Sequence, residues 1–361
     1  MSTSKRKLAL LSDRFKTLWL EENEVIMLDR SKYPLTTEYV KCKNLEQVAV
    51  AIEQMVIQGA PPLGYAAGLG LVLHARTLDG KSKEDYLIGL KEGVTRLKQT
   101  RPTGWNIFFI LDDCLKVAEE ALSNNEDPAE NMLSFVYKII EEGNRISRDT
   151  GRYAADLIND GDHIQTMCFA GAALNYMLYF AAEDGKDIHL YVSETRPYLQ
   201  GSRLAAQSAI EMDIPVTVVT DNMPGYLMTT GRTNVLVTAA DKVTLDGHVA
   251  NKIGTYQLAL AAFDNNLPFY VLAYKGPAPD SQSKDSIVIE ERDPEEVLYC
   301  LGNRTAVYGA NGYYPAFDIT PPRLVSAIIT DRGIFPSNLA YKYFSTEYVD
   351  PFYKREVLMK E

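Results

Sequence analysis

The sequence predicts an α/β protein of two domains: a smaller, mostly helical N-terminal domain with short strands over residues 1–125, and a doubly wound parallel-sheet domain over residues 126–361 that ends in a tail. Three observations predict this. The chain has 361 residues, and at roughly 100–200 residues per domain it has room for two. Short apolar, β-branched runs alternate with helical segments in the second half but not in the first, which is the pattern of a parallel sheet with crossover helices. Between the halves lies the acidic, turn-rich stretch Ser123–Pro128 (SNNEDP), which suits a link.

In chain order, Glu22–Pro34 (ENEVIMLDRSKYP) reads as a small hairpin. Asn44–Ile57 has helical periodicity, with Val48, Ala51, Ile52, Met55 and Val56 on one face. Leu63–Arg76, Ser82–Lys98 and Asn106–Leu122 also read as helices. In QGAPP, Pro61 and Pro62 suit a first helical turn, leaving the N–H groups near Gly59 and Ala60 able to face a ligand. Gly64 and Gly68, four residues apart, share a helix face and suit close packing. A helix over Ala129–Gly143 is followed by another running towards Asp160. The predicted strands are Ile164–Ala170, Ile188–Ser193, Val216–Thr220, Val235–Ala240 and Phe269–Ala273. Ser202–Glu211 and Ile253–Phe263 are helices between them.

The formal net charge of −11 disfavours sequence-independent nucleic-acid binding, which rests on neutralising phosphates. An anionic ligand must therefore find a local positive site. No apolar run approaches the ~20 residues of a membrane helix. The N-terminus, MSTSKRKLALLSDRF, begins like a signal peptide, but its apolar part is short of the ~7–15 residues needed and Asp13 and Arg14 follow at once. A cytoplasmic protein is expected. Cys42, Cys114, Cys168 and Cys300 form no CxxC pair, and the four histidines form no HExxH pattern. No structural metal is expected, and reduced thiols are.

Ligands of doubly wound sheets bind beyond the carboxyl ends of the strands, so the residues that end the strands are the candidates. Cys168 lies late in IQTMCFAG, as either an inert buried thiol or a reactive one. Asp241 follows VLVTAA, as a solvated or capping carboxylate or as a working acid. In GHVANKIGTY, Asn251 and Lys252 stand just before a predicted helix, as an ordinary cap or an anion site. ETRPYLQGSRL offers two arginines, Gln200 and Gly201 at a strand-to-helix turn, for surface salt bridges or for a polyhydroxylated anion. RPTGWN puts Arg101 ahead of another helix, at a capped start or an anion contact. Together these residues form a basic, amide-rich shell around one thiol and one carboxylic acid, a set suited to proton transfer on a phosphorylated small molecule. No strand is followed by GxGxxG with an acid ~20 residues on, which disfavours a nicotinamide dehydrogenase.

IQGAPPLG, RPTGWN, ETRPYLQGSRL, VTDNMPGYL, AADKVTLDGHVANKIGTY, IEERDPEEV and PAFDITPPRLVSAIITDRG occur in this order. With them the chain resembles the methylthioribose-1-phosphate isomerases, whose superfamily includes ribose-1,5-bisphosphate isomerase and the regulatory subunits of initiation factor two-B. The likeness runs from about Trp19 to about Pro336. The resemblance implies a Rossmann-like C-terminal domain, a homodimer, and an aldose–ketose isomerisation of methionine salvage that uses no metal or organic cofactor. A small sugar phosphate would be its partner, with no nucleic acid or membrane. By the resemblance, the catalytic residues are Cys168 and Asp241, and the substrate contacts are Gln58, Gly59, Ala60, Arg101, Gln200, Asn251 and Lys252. A 1-phosphorylated furanose cannot open freely, because the phosphate blocks its anomeric oxygen. The ring oxygen must be protonated while C1–O cleaves, and Asp241 would be that acid, its pKa raised beside Val235, Leu236, Val237 and Ala239. A hydrogen must then move from C2 to C1. Cys168 would carry it through an enediol-type intermediate, or it would move as a hydride while the cysteine or aspartate handles hydroxyl protons.

The chain departs from the family pattern around the substrate. Gln58 stands where the family has arginine, which removes a bidentate anion donor. TMCFAG replaces THCNAG, at Met167 and Phe169. GAD becomes Ala239-Ala240-Asp241, and Tyr274-Lys275-Gly276-Pro277 replaces a Pro-x-Ser/Thr turn. Three readings follow: 5-methylthioribose 1-phosphate as substrate; another sugar 1-phosphate, such as 5-deoxyribose 1-phosphate; or a non-catalytic regulatory or sensor protein of the initiation-factor-two-B type. The tail Asn338–Glu361 lies beyond the resemblance. Its stretch NLAYKYFSTEYVDPFYKRE has six aromatic residues among charges, packing on its own subunit or on a dimer partner.

Overall fold

A computed structural model describes residues 6–101 and 105–352, without the side chains of Ala60 and Trp105. The chain divides into two units. One is Asp13–Asn144; the other runs from Arg145 onward and includes the described residues up to Ser12. The division falls downstream of Ser123–Pro128, inside a single helix.

In the Asp13–Asn144 unit, β1 (Leu18–Glu21), β2 (Glu24–Leu28) and β3 (Tyr39–Cys42) form an antiparallel sheet in that order. The hairpin starts earlier than the sequence suggested. Its turn is Glu22-Asn23, closed by the pair Glu21–Glu24, with Glu22 at φ 52°. Next come α1 (Leu45–Glu53), α2 (Ala60–Arg76), α3 (Lys83–Gln99), α4 (Trp105–Asn124) and α5 (Pro128–Ala155). Asn44 caps α1 by accepting the Gln47 N–H at 2.9 Å, and Ser82 caps α3. Val48 and Ile52 of α1, Leu69 and Val72 of α2 and Leu111 of α4 are fully buried in one apolar core. Gly64 and Gly68 permit close contacts within it. A Cβ on Gly64 would stand 2.7 Å from the Asn106 carbonyl oxygen of α4, and one on Gly68 would stand 2.9 Å from Val136 of α5. The two helices expected on either side of Gly143 are one helix of 28 residues. Gly143 is buried within it, so packing outweighs the ~1 kcal/mol that a helical glycine costs.

The second unit is built on a seven-stranded sheet. Its elements are β4 (His163–Met167), α6 (Gly171–Glu183), β5 (His189–Ser193), a π-helical turn (Gly201–Ala205) leading into α7 (Ala206–Glu211), β6 (Val216–Val219), α8 (Pro224–Thr229), β7 (Val235–Ala239), β8 (Lys242–Val243), β9 (Val249–Lys252), α9 (Thr255–Asp264), β10 (Phe269–Leu272), α10 (Glu295–Leu298), β11 (Tyr299–Cys300), β12 (Asn303–Arg304), β13 (Phe317–Thr320), β14 (Ala327–Thr330) and β15 (Gly333–Phe335). The strand order is β15-β14-β10-β7-β4-β5-β6, parallel except at the β15 edge. The sheet is covered on both faces. Val235 and Val237 of β7 join a core with Leu174 and Leu178 of α6, while Leu236 between them joins Leu258 and Ala262 of α9 on the other side. The order reverses between β4 and β7, which makes their carboxyl ends the topological switch point. Asn251 and Lys252 stand just before a helix, α9, as expected, but they end a strand, β9, which pairs with β8 and β13 in a separate three-stranded sheet.

The described part of the tail packs on its own chain. The Tyr348 hydroxyl donates to Asp149 of α5 at 2.8 Å, Arg145 lies 4.5 Å over the Tyr348 ring, and Phe352 meets Phe180 of α6. Tyr353–Glu356 and the residues after them lie outside the described residues. Among the described residues, no helix is long and apolar enough to cross a membrane.

Gly201 is one of the positions where the fold has no room for a side chain. A Cβ there would lie 1.9 Å from the Ser193 carbonyl oxygen at the end of β5. Gly201→Ala is expected to cost about 1–3 kcal/mol or more in urea unfolding. Gly225→Ala in α8, where the nearest neighbour would be 4.0 Å away, is expected to be neutral or to stabilise by about 0.5–1 kcal/mol.

Candidate active site

Cys168 immediately follows β4, and its backbone is left-handed at φ 61°. Such a conformation costs a non-glycine residue about 1–3 kcal/mol and needs support from its surroundings. Thr195, after β5, supplies it: the Thr195 hydroxyl accepts the Cys168 N–H at 2.8 Å and donates to the Ser193 carbonyl at 3.0 Å. Thr195 is itself left-handed at φ 66°, and Asp221 holds it by accepting the Thr195 and Arg196 N–H groups at 2.8 and 2.7 Å. Three consecutive strand ends thus fix one thiol.

Asp241 follows β7 after Ala240, and its N–H donates to the Ala250 carbonyl of β9 at 2.9 Å. That bond ties the end of β7 to the strand that carries Asn251 and Lys252. Lys252 is 4% exposed, and among the described residues its ammonium has no hydrogen-bond partner. It stands over the Phe317 ring at 4.7 Å and farther from Tyr314, at 5.9 Å. A buried ammonium without a hydrogen-bonded partner is costly, and one placed among a thiol and a carboxylic acid is suited to an incoming anion. Asn251, also 4% exposed, donates to the Thr255 hydroxyl at 2.9 Å.

The electrostatics join these groups. Burial pushes the Cys168 thiol up. Lys252 pulls it back, Asp241 pushes it further, and hydrogen bonds from the Phe169 backbone and the Gln200 side chain lower it. Asp241 keeps surface open to solvent, yet the protein around it is dense enough for burial to be the main influence, and its carboxyl is raised against the pull of Lys252 and Arg292. Burial and the Arg292 charge hold Lys252 below the ordinary lysine range. The result is a carboxyl biased towards its proton and a thiol biased towards its own, beside a cation that favours the thiolate.

Arg292 was not singled out from the sequence, although it stands in the quoted IEERDPEEV. It pairs with Glu290 at 3.0 Å and acts on both Asp241 and Lys252. Thr195 was also missed, because nothing in a sequence marks a threonine that must adopt a left-handed backbone. The arginines of ETRPYLQGSRL have internal roles. Arg196 donates to the Val297 and Tyr299 carbonyls at 3.2 and 2.8 Å, and Arg203 stacks on Tyr198. Of that motif, it is Gln200 that reaches the thiol. The expected anion site at the N-terminus of α9 is occupied from within. Asp318 accepts the Gly254 N–H at 2.7 Å and the Tyr256 N–H at 3.1 Å, and burial pushes its carboxyl up to about 6.

Gln58, Gly59 and Arg101 belong to the other unit and are brought together there. The Gln58 side chain turns back to donate to the Met55 carbonyl at 2.9 Å, and the Arg101 guanidinium meets the Met55 sulfur. Gly59, at φ 91°, is the N-cap of α2, which Ala60 opens with Pro61 and Pro62 behind it. Pro102, Thr103 and Gly104 of RPTGWN lie outside the described residues.

The initiation factor 2 subunit family model matches residues 56–337. A methylthioribose-1-phosphate isomerase of Thermotoga maritima is 42% identical, over 88% of this chain and 94% of its own. The chain belongs to the methylthioribose-1-phosphate isomerase family. It is an isomerase, and it is also a member of the broader initiation factor 2 subunit family. The crystal structure of 5-methylthioribose 1-phosphate isomerase from Pyrococcus horikoshii OT3 superposes with a TM-score of 0.83 at 35% identity, covering 91% of this chain and 94% of that one. The structure of the translation initiation factor eIF-2B subunit delta from A. fulgidus superposes with a TM-score of 0.78 at 32% identity, covering 91% and 96%. Against the family pattern, Met167 and Phe169 are both accommodated. The Met167 sulfur accepts from the Thr255 hydroxyl at 3.3 Å, and Phe169 packs on Val192, Ala205 and Ala206. Lys275 is exposed on its turn, near the Tyr274 ring.

If Cys168, Asp241 and Lys252 share one field, alkylation of Cys168 by iodoacetamide will be slow at neutral pH and will accelerate as pH rises. Lys252→Gln will move that profile to higher pH and Asp241→Asn will move it to lower pH. Mass spectrometry distinguishes Cys168 from the other three cysteines. A profile that neither substitution moves means the three groups do not interact.

Proposed function

We propose that the enzyme converts 5-methylthioribose 1-phosphate to 5-methylthioribulose 1-phosphate, with Asp241 as the acid that opens the ring and Cys168 as the group that moves hydrogen from C2 to C1. The observation that carries the reading is the placement of a thiol and a carboxyl just beyond the ends of the paired strands β4 and β7, with Lys252, 4% exposed and with no hydrogen-bond partner for its ammonium among the described residues, acting on both. The protonated Asp241 carboxyl gives its proton to the ring oxygen as the C1–O bond breaks, leaving a 4-hydroxyl. The Cys168 thiolate, favoured by Lys252, takes the C2 proton and returns it to C1 through the enediol-type intermediate. The Asp241 carboxylate takes the 2-hydroxyl proton, which restores the acid and leaves the C2 ketone. Gln58, Gly59, Ala60, Arg101, Gln200, Asn251 and Lys252 bind the substrate, Lys252 as a cation for its phosphate. The working form is a cytoplasmic homodimer of methionine salvage.

Cys168→Ser and Asp241→Asn are each expected to lower kcat by about 10²–10⁴-fold with unchanged circular dichroism and Tm; full activity in either variant overturns its role. Reaction in deuterium oxide separates the two schemes of hydrogen movement. Transfer through Cys168 puts deuterium at C1 in proportion to the exchange of the thiol proton with solvent during the enediol's lifetime, whereas a direct hydride shift carries the C2 hydrogen across with no incorporation. The substrate is tested by comparing kcat/KM for the 5-methylthio-, 5-deoxy-, 5-hydroxy- and 5-phospho-ribose 1-phosphates. The 5-methylthio compound is expected to be best, and turnover of none would favour a sensor or regulatory protein.

A further inference from the structure

We infer that Arg30 supplies the cation of the substrate-binding QGA segment, in place of a charge at position 58; this rests on the sugar-phosphate reading above. Two residues after β2, Arg30 is 5% exposed although arginine is rarely buried. It is fixed to the turn between α1 and α2 at two points. Its N–H donates to the Val56 carbonyl at 2.8 Å, and its guanidinium donates to the Gln58 carbonyl at 2.6 Å. The same guanidinium nitrogen would lie 3.7 Å from a Cβ on Gly59, so the charge stands against the Gln58–Gly59 peptide at the opening of α2. The Gln58 side chain carries no charge and is turned back on the Met55 carbonyl. Arg101 reaches the same turn at Met55, so two guanidinium groups converge on Met55–Gly59. In a chain of net charge −11, an anion needs such a local concentration of positive charge. Arginine also keeps its charge when buried, where a lysine tends to lose it. Gln58 is then not a deletion of charge from the segment: the guanidinium enters from the neighbouring strand end.

The test is a charge relocation in the full-length enzyme, read with 5-methylthioribose 1-phosphate and with inorganic phosphate as a competing anion. Arg30→Gln is expected to raise KM and the phosphate inhibition constant about tenfold or more, with a smaller effect on kcat. Adding Gln58→Arg to Arg30→Gln is expected to recover most of both losses, because it returns a guanidinium to the segment. Arg30→Lys is expected to fall between wild type and Arg30→Gln. If Arg30 only braces the turn, Arg30→Gln will lower Tm without moving the phosphate constant, and Gln58→Arg will not rescue; either result overturns the inference. If Arg30→Gln fails to fold, Arg30→Lys decides, since a purely structural site would leave its phosphate constant at the wild-type value. A wild-type enzyme that turns over none of the sugar phosphates defeats the functional reading instead, and in that case phosphate binding measured by calorimetry on the same variants still judges Arg30.

Discussion

β4 and β7 run side by side as parallel strands, paired at Ile164–Val235 and Gln165–Leu236, and the chain then leaves them by different routes. From β4 it passes through Cys168 to α6, which covers one face of the sheet. From β7 it passes through Asp241 to β8 and β9, which carry Asn251 and Lys252. A doubly wound sheet must part its chain in this way at the point where the strand order reverses. The parting brings a thiol and a carboxyl into one neighbourhood from positions far apart in sequence. It also leaves Cys168 in a backbone conformation that needs outside support, which explains why the Thr195–Asp221 hydrogen bonds exist.

Charge is handled by separation. The chain is acidic as a whole, and its cations near the candidate site are partly held by protein groups: Arg292 by Glu290, Arg196 by backbone carbonyls. Lys252 differs in having no hydrogen-bond acceptor among the described residues while lying deep among Phe317, Tyr314 and the two candidate catalytic groups. The helix dipole at the start of α9, a common resource for anions, is turned to internal use by Asp318. Positive potential at this site therefore comes from side chains of defined position.

Much of the second unit was legible in the sequence, because buried parallel strands are short β-branched runs with few rivals: all five predicted strands are present, within a few residues at their ends. Pro61, Pro62, Gly64 and Gly68 were legible for a similar reason, since each residue type has few roles in a helix. Cys168 and Asp241 could be singled out from their place after strands, but giving them roles needed the family resemblance. Besides Thr195 and Arg292, three further things were not legible. Gly143 looked like a helix end, and only tertiary packing keeps α5 continuous through it. Asn251 and Lys252 looked like a helix approach, because a four-residue strand paired with distant Phe317–Thr320 has no local signature. Arg30 was not singled out within ENEVIMLDRSKYP; its burial against Gln58 follows from a contact across 28 positions.

The crowding at Gly201 bears on how motifs such as ETRPYLQGSRL are to be interpreted. The glycine is demanded by a backbone oxygen of β5, and Thr195 by the backbone of Cys168. Both demands are made by backbone atoms, not by the thiol's sulfur or by any sugar. A relative that lacked the thiol and the acid would still lose stability if it lost either residue. Such motifs are therefore records of architecture, and a protein's chemistry is better judged from the few side chains that the fold could do without.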